Sequence, residues 1–301
     1  MAGPRWTALD LPNLAGRSAV VTGASGGLGE VVAGELARAG ATVTLAVRDL
    51  AKGRAAAARI SGRADVRRLD LADLASVRAF AADWTGDLDI LVNNAGIMQV
   101  PHSLTRDGFE LQMGTNYLGP FALTVALLPH VRSRVVTVSS QLQSAGHIHL
   151  EDLNGEHRRY DALQAYRDSK LANTLFTLEL SRRLAEAGSA VRAITSDPGF
   201  ARTGLAAHIG GPSGALQKLA VRMFNDAARG AATTLYAATA DIPSGTYVGP
   251  DGFRHLRGHP KVIEPPQAAC DGELAQQLWD LTTGLTAERR EGSSSAARRE
   301  M

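Results

Sequence analysis

Short apolar runs rich in β-branched residues alternate along the chain with longer stretches in which alanine and leucine recur at helical spacing. The predicted strands are residues 18–22, 42–47, 65–69, 90–93, 134–139 and 190–196. The predicted helices are residues 29–39, 50–60, 74–84, 105–128 and 160–187. Continuously apolar strands that alternate with helices are typical of a parallel sheet covered on both faces. The pattern therefore predicts an α/β fold, a Rossmann-like doubly wound parallel sheet with helices on both faces.

The same pattern predicts a single domain, because neither an internal repeat nor a linker interrupts it. We expect an N-terminal arm over residues 1–15 and one domain over residues 16–287. Within that domain, glycines and a proline break up short helical pieces in the segment 203–225, which we expect to form a lid over the sheet. The small, polar and charged residues 288–301 are expected to form a disordered tail.

Composition removes several functional classes. The chain has 301 residues, of which 45% are hydrophobic, and a formal net charge of +2. Since both signs are interspersed, neither a nucleic-acid groove nor an anionic membrane patch is expected. Cys270 is the only cysteine, which excludes an internal disulfide and fits a reducing compartment. No apolar run is long enough to span a bilayer and no signal pattern is evident, so we expect a soluble, cytoplasmic protein.

A glycine-rich stretch, TGASGGLG, follows the first predicted strand and opens the first predicted helix. Gly23, Gly27 and Gly29 allow a tight turn and let a pyrophosphate approach the amides at the helix N-terminus. The alternative is a tight strand-to-helix connection that binds nothing. The turn therefore predicts a dinucleotide site only if the end of the second strand agrees.

The second predicted strand ends Ala46-Val47-Arg48, without an acidic residue where the hydroxyl of a ribose would be held. Arg48 can make charge-assisted contacts with a 2′-phosphate, and Ser25 can add a hydroxyl. The alternative is that Arg48 is a solvated arginine that pairs with Asp49. We therefore expect NADP(H) as cofactor, with NAD(H) less favoured.

Tyr166 and Lys170 lie four residues apart in YRDSK, which places a phenol and an ammonium on one face of a helix. Because a nearby cation favours the phenolate, Lys170 can turn Tyr166 into a proton-transfer group at neutral pH. The same spacing also arises by chance on solvated helices. The pair therefore needs support from the rest of the chain.

Further motifs supply that support in a fixed order. They comprise LDLAD with Asp70 and Leu71, NNAG with Asn94, Ala95 and Gly96, TNYLGPF with Asn116, TVSS with Ser140, and DPGFART with Pro198, Gly199, Phe200 and Thr203. Together with TGASGGLG and YRDSK, they resemble the short-chain dehydrogenase/reductase family. The long spacing from Ser140 to Tyr166, with HIHLEDLN and LAQQLWDLT, is similar to its retinol dehydrogenase-like branch, in a soluble bacterial-type form.

The resemblance implies an NADP-dependent oxidoreductase in which four side chains share the catalysis. It implies that Ser140 donates a hydrogen bond to the substrate oxygen, that Tyr166 transfers the proton, and that Lys170 lowers the pKa of that phenol. Asn116 would position a water that connects Lys170 to solvent. Ser139 competes with Ser140, since strand alternation sends only one of them to the active face. Asp197 departs from the family, in which histidine or asparagine is frequent at this position.

The resemblance also implies the residues that bind the cofactor. They are Gly23, Ser25, Gly27, Leu28, Gly29, Arg48, Asp70, Leu71, Asn94, Ala95, Gly96, Tyr166, Lys170, Pro198, Gly199, Phe200 and Thr203. No metal is expected, because His147 and His149 lack a third ligand nearby and are expected to be solvated loop residues.

The substrate is expected to be a hydrophobic small-molecule ketone, aldehyde or alcohol. Apolar residues of the lid segment favour an apolar cavity, although they also fit ordinary helix packing: Leu205, Ile209, Leu216, Leu219, Met223 and Phe224. Two other functions remain open, an epimerase or dehydratase with the same Tyr-Lys pair and a catalytically idle NADP(H) sensor.

The resemblance implies a homodimer or homotetramer that pairs through the helices of Asn116 and Tyr166. The long segment between Ser140 and Tyr166 can block such pairing and leave a monomer.

Overall fold

An eight-stranded sheet runs through the part of the chain that the computed structural model describes, residues 5–199 and 227–288. The strands are β1 (Ser18–Thr22), β2 (Thr42–Val47), β3 (Arg63–Arg68), β4 (Leu88–Asn93), β5 (Val131–Val138), β6 (Arg192–Ser196), β7 (Tyr247–Pro250) and β8 (Pro260–Val262). Their order in space is β3-β2-β1-β4-β5-β6-β7-β8. The chain thus winds outward from β1 to one edge and then returns to build the other half from β4. This is the predicted doubly wound sheet.

The strands from β1 to β7 pair in parallel, and only β7 and β8 pair antiparallel, with Val248 opposite Val262. The sequence pattern did not reveal this last pair. The two strands span only Tyr247–Pro250 and Pro260–Val262, too few residues to establish a period. Their prolines are tolerated because the pair closes the edge of the sheet.

Helices cover both faces of the sheet. They are α1 (Gly27–Arg38), α2 (Leu50–Ala57), α3 (Leu74–Ala82), α4 (Leu111–Met113), α5 (Gly119–Leu127), α6 (Ala162–Glu186), α7 (Ala227–Thr239) and α8 (Gly272–Glu288). One core joins the sheet to α3, α5, α6 and α8, and the other joins it to α1, α2 and α7. Val20 and Val21, neighbours in β1, belong to opposite cores, as expected for a strand buried on both faces.

The predicted helix 105–128 is wrong in its first part. Leu104 and Glu110 form an isolated antiparallel bridge, and Gly108 turns the chain with a φ of +78°. The helix begins only at Leu111 and contains a π-helical stretch, Gly114–Leu118, between α4 and α5. Local turn chemistry overrode the apolar spacing that suggested a longer helix.

The predicted strands 18–22 and 42–47 are found with the predicted ends, and the remaining predicted elements have shifted ends, as is usual for helix and strand termini. The predicted strand 134–139 begins earlier and ends at Val138, so Ser139 and Ser140 follow the strand. The predicted helix 160–187 begins at Ala162, because Asp161 accepts hydrogen bonds from the amides of Leu163 and Gln164 and caps it.

Residues 5–15 of the predicted arm lie against the domain. The ring of Trp6 packs edge-on against Tyr236 of α7 with 5.4 Å between centroids, and Leu14 is buried. The predicted lid 203–225 and the tail after Glu288 lie outside the described residues. Over residues 5–199 and 227–288, no helix combines the length and apolarity that crossing a membrane requires.

Candidate active site

The turn between β1 and α1 is shaped by contacts that leave no room for side chains. Gly23 has a φ of +67°, and a Cβ added to it would lie 2.9 Å from Cα of Ala95. A Cβ on Gly29 would lie 2.4 Å from Nδ2 of Asn94. These glycines are therefore needed because the NNAG segment packs directly on the turn.

The N-terminus of α1 is left open for an anion. Gly26 is the N-cap residue, and no side chain accepts a hydrogen bond from the first turn of the helix. The free amides and the helix dipole favour a negatively charged group at this point. The geometry thus fits the pyrophosphate that the sequence predicts.

Thr22 fastens this turn to the end of β4. Its hydroxyl accepts hydrogen bonds from the backbone amides of Asn94 and Ala95, each at 3.0 Å. Nδ2 of Asn94 donates back to the carbonyl oxygen of Thr22 at 2.8 Å. Thr22 was missed as a site residue, although it is the first residue of TGASGGLG and fully buried.

At the end of β2, Arg48 is exposed and Asp49 is used as a helix cap. The carboxylate of Asp49 accepts hydrogen bonds from the amides of Ala51 and Lys52 at 2.9 and 3.1 Å. Beyond β3, Asp70 accepts from the amide of Ala72 at 3.0 Å, and this bond shapes the turn that contains Leu71. Arg48 and Asp70 thus follow the carboxyl ends of the adjacent strands β2 and β3, and α1 begins at the same end of the sheet.

Tyr166 and Lys170 are both buried on α6. The ammonium of Lys170 lies 5.8 Å from the centre of the Tyr166 ring and donates a hydrogen bond to the carbonyl oxygen of Val138 at 2.9 Å. The structure therefore brings the pair together at the end of β5.

The two serines after β5 have different partners. Ser139 is buried and donates to the carbonyl oxygen of Lys170 at 2.8 Å, while Ser140 lies next to the Tyr166 phenol and favours a lower pKa of that phenol. Of the two candidates, Ser140 is thus the serine beside the Tyr166 phenol.

Asn116 lies inside the π-helical stretch and holds the chain that follows NNAG. Its Oδ1 accepts from the amide of Ile97 at 2.8 Å, and its Nδ2 donates to the carbonyl oxygen of Ile97 and to Ser169, each at 2.9 Å. A Cβ on Gly96 would lie 3.4 Å both from Oδ1 of Asn116 and from Nζ of Lys170. Asn116 and Lys170 therefore meet around a glycine that a side chain would crowd.

The protonation of the site is dominated by burial. Burial raises the pKa of Tyr166 to about 12; the hydrogen bond with Ser140 opposes the rise and the charge of Asp197 adds to it. Burial thus decides the direction of the shift, and the lowering of this pKa by Lys170 stays a prediction. Tyr166 is consequently a protonated phenol at neutral pH.

Asp197 follows β6 and is fully buried. Its carboxylate accepts hydrogen bonds from the hydroxyl of Tyr247 and from the amide of Gly199, each at 2.7 Å. The Tyr247 hydroxyl in turn accepts from Nε2 of Gln143 at 2.8 Å. Burial raises the pKa of Asp197 to about 6. Tyr247 and Gln143 were missed because they are 104 residues apart and neither lies in a motif.

The turn after Asp197 is only partly described. Pro198 and Gly199 belong to it, and Gly199 has a φ of +65°. Phe200 and Thr203, which were predicted to bind the cofactor, lie outside the described residues.

The long segment between Ser140 and Tyr166 is anchored at both of its sides. Asn154 accepts from the amide of Glu110 at 3.0 Å and donates to the carbonyl oxygen of Gly108 at 2.9 Å. The amide of His147 donates to Asp168 of α6 at 2.8 Å. In the described part of the chain, no three His, Cys, Asp or Glu side chains cluster in a way that could hold a metal ion.

The profile of the short chain dehydrogenase family matches residues 17–212. Retinol dehydrogenase 13 of Mus musculus is 41% identical over 284 residues, which cover 88% of this chain and 82% of that protein. Polyprenol dehydrogenase of Mus musculus is 41% identical over 286 residues, with 89% and 83% covered.

Solved structures are similar to this chain as well. The crystal structure of an uncharacterized protein from Mycobacterium paratuberculosis is 50% identical, covers 94% of this chain and 98% of its own, and superposes with a TM-score of 0.84. A protein from Beutenbergia cavernae, described as an NAD(P)-dependent gluconate 5-dehydrogenase with bound NADP at low occupancy, is 28% identical. It covers 78% of this chain and 95% of its own with a TM-score of 0.62. The chain belongs to the short-chain dehydrogenase family and to its retinol dehydrogenase-like branch.

Proposed function

We propose that this oxidoreductase uses NADP(H) to interconvert a hydrophobic ketone or aldehyde with the corresponding alcohol, with Tyr166 as general acid/base. The observation that carries the proposal is the group formed by Ser140 with the buried Tyr166 and Lys170. This group lies at the carboxyl ends of the strands, where the N-terminus of α1 is open. An acid beside an anion-binding helix end is suited to reactions in which charge develops on a substrate oxygen next to a dinucleotide.

When bound, NADP(H) supplies or accepts the hydride. The amides at the start of α1 would hold its pyrophosphate, and Arg48 with Ser25 would hold the 2′-phosphate. Asp70 and Leu71 would border the adenine, while Tyr166 and Lys170 would bind the nicotinamide ribose beside Gly96. The exposure of Arg48 and the use of Asp49 as a cap support this assignment, because they leave the guanidinium accessible to a phosphate.

In carbonyl reduction, Ser140 donates a hydrogen bond to the substrate oxygen and Tyr166 gives that oxygen a proton as negative charge develops. Because burial raises the pKa of Tyr166 to about 12, the phenol carries the proton that carbonyl reduction needs. The charge of Lys170 then stabilises the phenolate that remains. Asn116 would connect Lys170 to solvent through a water so that the proton is replaced.

The hydrophobic substrate rests on two lines of support. The apolar residues of the segment 203–225 fit an apolar cavity, and the similar proteins are named for the alcohols retinol and polyprenol. Because pocket specificity resides in such variable segments, the particular compound does not follow from the fold.

The test is a measurement of NADPH and NADH oxidation with a panel of apolar and polar aldehydes and ketones. We expect turnover with apolar carbonyls and NADPH. Tight NADPH binding with no carbonyl reduced would overturn the reductase and favour an idle sensor. Conversion of a substrate without net oxidation of the cofactor would favour an epimerase or dehydratase.

The cofactor preference is tested by Arg48→Asp, which places an acid where a ribose 2′-hydroxyl would lie. We expect the ratio of kcat/KM for NADPH to that for NADH to fall by about tenfold or more, the scale of one charge-assisted contact. Arg63→Asp is the matched control, since it makes the same charge change at the exposed start of β3. This position lies at the amino ends of the strands, away from Arg48. An unchanged ratio in Arg48→Asp would exclude the 2′-phosphate role.

We also infer that the chain does not pair through α5 and α6, because its own α8 covers them. The ring of Trp279 lies 4.8 Å from Phe121 and 5.7 Å from Phe176, and Thr282 shares a buried hydrogen bond with Tyr117. Light scattering is expected to give the mass of one chain, 31.7 kDa. A dimer that is cross-linked through α5 would contradict this inference.

A further inference from the structure

Asp197 and Lys170 are brought together by the ends of two neighbouring strands. Ser196 of β6 pairs in register with Val138 of β5, and Asp197 follows directly. The ammonium of Lys170 donates to the carbonyl oxygen of that same Val138. The carboxylate and the lysine therefore belong to one buried corner of the site.

The carboxylate of Asp197 is held in place rather than solvated. Its exposed fraction is 0%, and both of its oxygens accept hydrogen bonds, one from Tyr247 and one from the amide of Gly199. Gln143 fixes the hydroxyl of Tyr247 from behind. A carboxylate removed from water in this way is retained as a charge only if donors and an opposite charge face it.

We propose that Asp197 is a positioning residue whose buried carboxylate is the counter-charge that keeps Lys170 protonated beside Tyr166. The catalytic consequence rests on the proposed function, whereas the position of both groups at the ends of β5 and β6 is a property of the fold.

The electrostatics of the corner agree with this role. Burial lowers the pKa of Lys170 to about 8, and Asp197 is the charge that opposes the fall. Burial raises the pKa of Asp197 to about 6, while Tyr247, Gly199, Lys170 and His255 favour its ionised form. Between these two values, both groups are charged.

The pairing has a consequence for proton transfer. The charge of Asp197 raises the pKa of Tyr166, so the same carboxylate that keeps the lysine charged also keeps the phenol protonated. Asp197 thus helps to keep Tyr166 in the protonated form that can donate a proton.

The chain allows a direct test, because its only lysines are Lys52, Lys170, Lys218 and Lys261. Labelling the lysine Cε atoms with ¹³C gives few NMR signals, and the signal that disappears in Lys170→Met identifies Lys170. In Asp197→Asn, we expect the pKa of Lys170 to fall by about one unit, the usual effect of losing a nearby opposite charge. An unchanged pKa of Lys170 would overturn the proposal.

Asp168→Asn is the matched control. Asp168, on α6, is also a buried carboxylate, but its Oδ1 accepts from the amide of His147 and from Gln164, and its Oδ2 lies 3.8 Å from Arg158. We expect this variant to leave the titration of Lys170 unchanged. An equal shift in both variants would mean that a general structural change, and not the charge of Asp197, moves the lysine.

Tyr247→Phe retains the carboxylate and keeps the test valid if Asp197→Asn does not fold. Because the tyrosine bond favours ionised Asp197, its loss is expected to raise the pH at which the Lys170 signal senses ionisation of Asp197. Absence of any such inflection in both wild type and Tyr247→Phe would overturn the pairing.

The activity profile separates this inference from the proposed function. If the wild type reduces carbonyls, the alkaline limb of kcat/KM is expected to move to lower pH in Asp197→Asn, in step with the NMR titration. A profile of unchanged shape and lower height would leave Asp197 with a structural role alone. If the wild type reduces no carbonyl, the proposed function fails while the NMR result still decides the pairing.

Discussion

The glycine-rich turn and the corner that contains Tyr166, Lys170 and Asp197 both lie at the carboxyl ends of the strands, but different interactions hold them together. At the turn, glycines and backbone amides fit closely together, and the hydrogen bonds of Thr22 join neutral groups. At the corner, Lys170 and Asp197 are charged groups buried among strand ends. The turn therefore depends on glycines that have no side chain, and the corner depends on the balance of its charged groups. Substitutions at the two places are expected to fail for different reasons.

The largest effect is expected at the corner, from Tyr166→Phe. Removing the phenol hydroxyl deletes the proposed proton donor, which is expected to lower kcat by about 10³-fold, within the usual range for general acid catalysis. NADPH affinity, measured by fluorescence titration, is expected to change little.

Tyr160→Phe is the control for that change. The Tyr160 hydroxyl bonds to Val100, Gln112 and Glu110 in the anchor of the long segment, away from Lys170. Its kcat is expected to remain near that of the wild type. A residual kcat in Tyr166→Phe close to that of Tyr160→Phe would exclude Tyr166 as the proton donor.

A smaller but still large effect is expected at the turn, from Gly29→Ala. The added methyl would lie 2.4 Å from Asn94 and 2.7 Å from the carbonyl oxygen of Gly23. The turn must shift to relieve this overlap. If the shift lowers the binding free energy by about 3 kcal/mol, NADPH binding weakens by about a hundredfold. Isothermal titration calorimetry measures the affinity.

Gly34→Ala makes the same change on the same helix, where the methyl would lie 3.8 Å from Ile60. It is expected to retain NADPH affinity and to stabilise α1 by about 0.5–1 kcal/mol. If both alanine variants bind NADPH like the wild type, steric overlap at Gly29 does not control NADPH affinity. The contrast between the turn and the corner would then be wrong.

The smallest effect is expected from Thr22→Val, which is an almost isosteric change. Without the hydroxyl, the partly buried amides of Asn94 and Ala95 lose their acceptor, at a cost of about 1–2 kcal/mol in the free energy of unfolding. Urea denaturation measures the loss. Thr22→Ser keeps the acceptor and is expected to lose less, whereas equal losses would show that the methyl group and not the hydroxyl matters.

The difference between the two regions also explains which features could be predicted from the sequence. The turn and the Tyr166–Lys170 pair are local in sequence, because each is contained in a few consecutive residues whose spacing fixes their relative positions. The sheet could be predicted for the same reason, since each strand and helix has its own period.

Two kinds of feature could not be predicted. The bridge before Leu111 is a local turn whose geometry the apolar spacing concealed. The contacts of Asp197 with Tyr247 and Gln143 join residues far apart in the chain, and β7, which brings Tyr247 there, is too short to show a period. The raised pKa of Tyr166 likewise depends on the depth of burial, which the motif does not encode.

The packing of α8 on α6 has a consequence for how the enzyme behaves on dilution. A cover supplied by a second subunit dissociates as the protein concentration falls, whereas a helix of the same chain is held near its partner at a constant effective concentration. The helix that carries Tyr166 and Lys170 is packed by Trp279 of its own chain, whose ring stacks on Phe176 and lies under the guanidinium of Arg183. Specific activity and thermal stability should therefore be independent of enzyme concentration, down to the lowest amounts that an assay can detect.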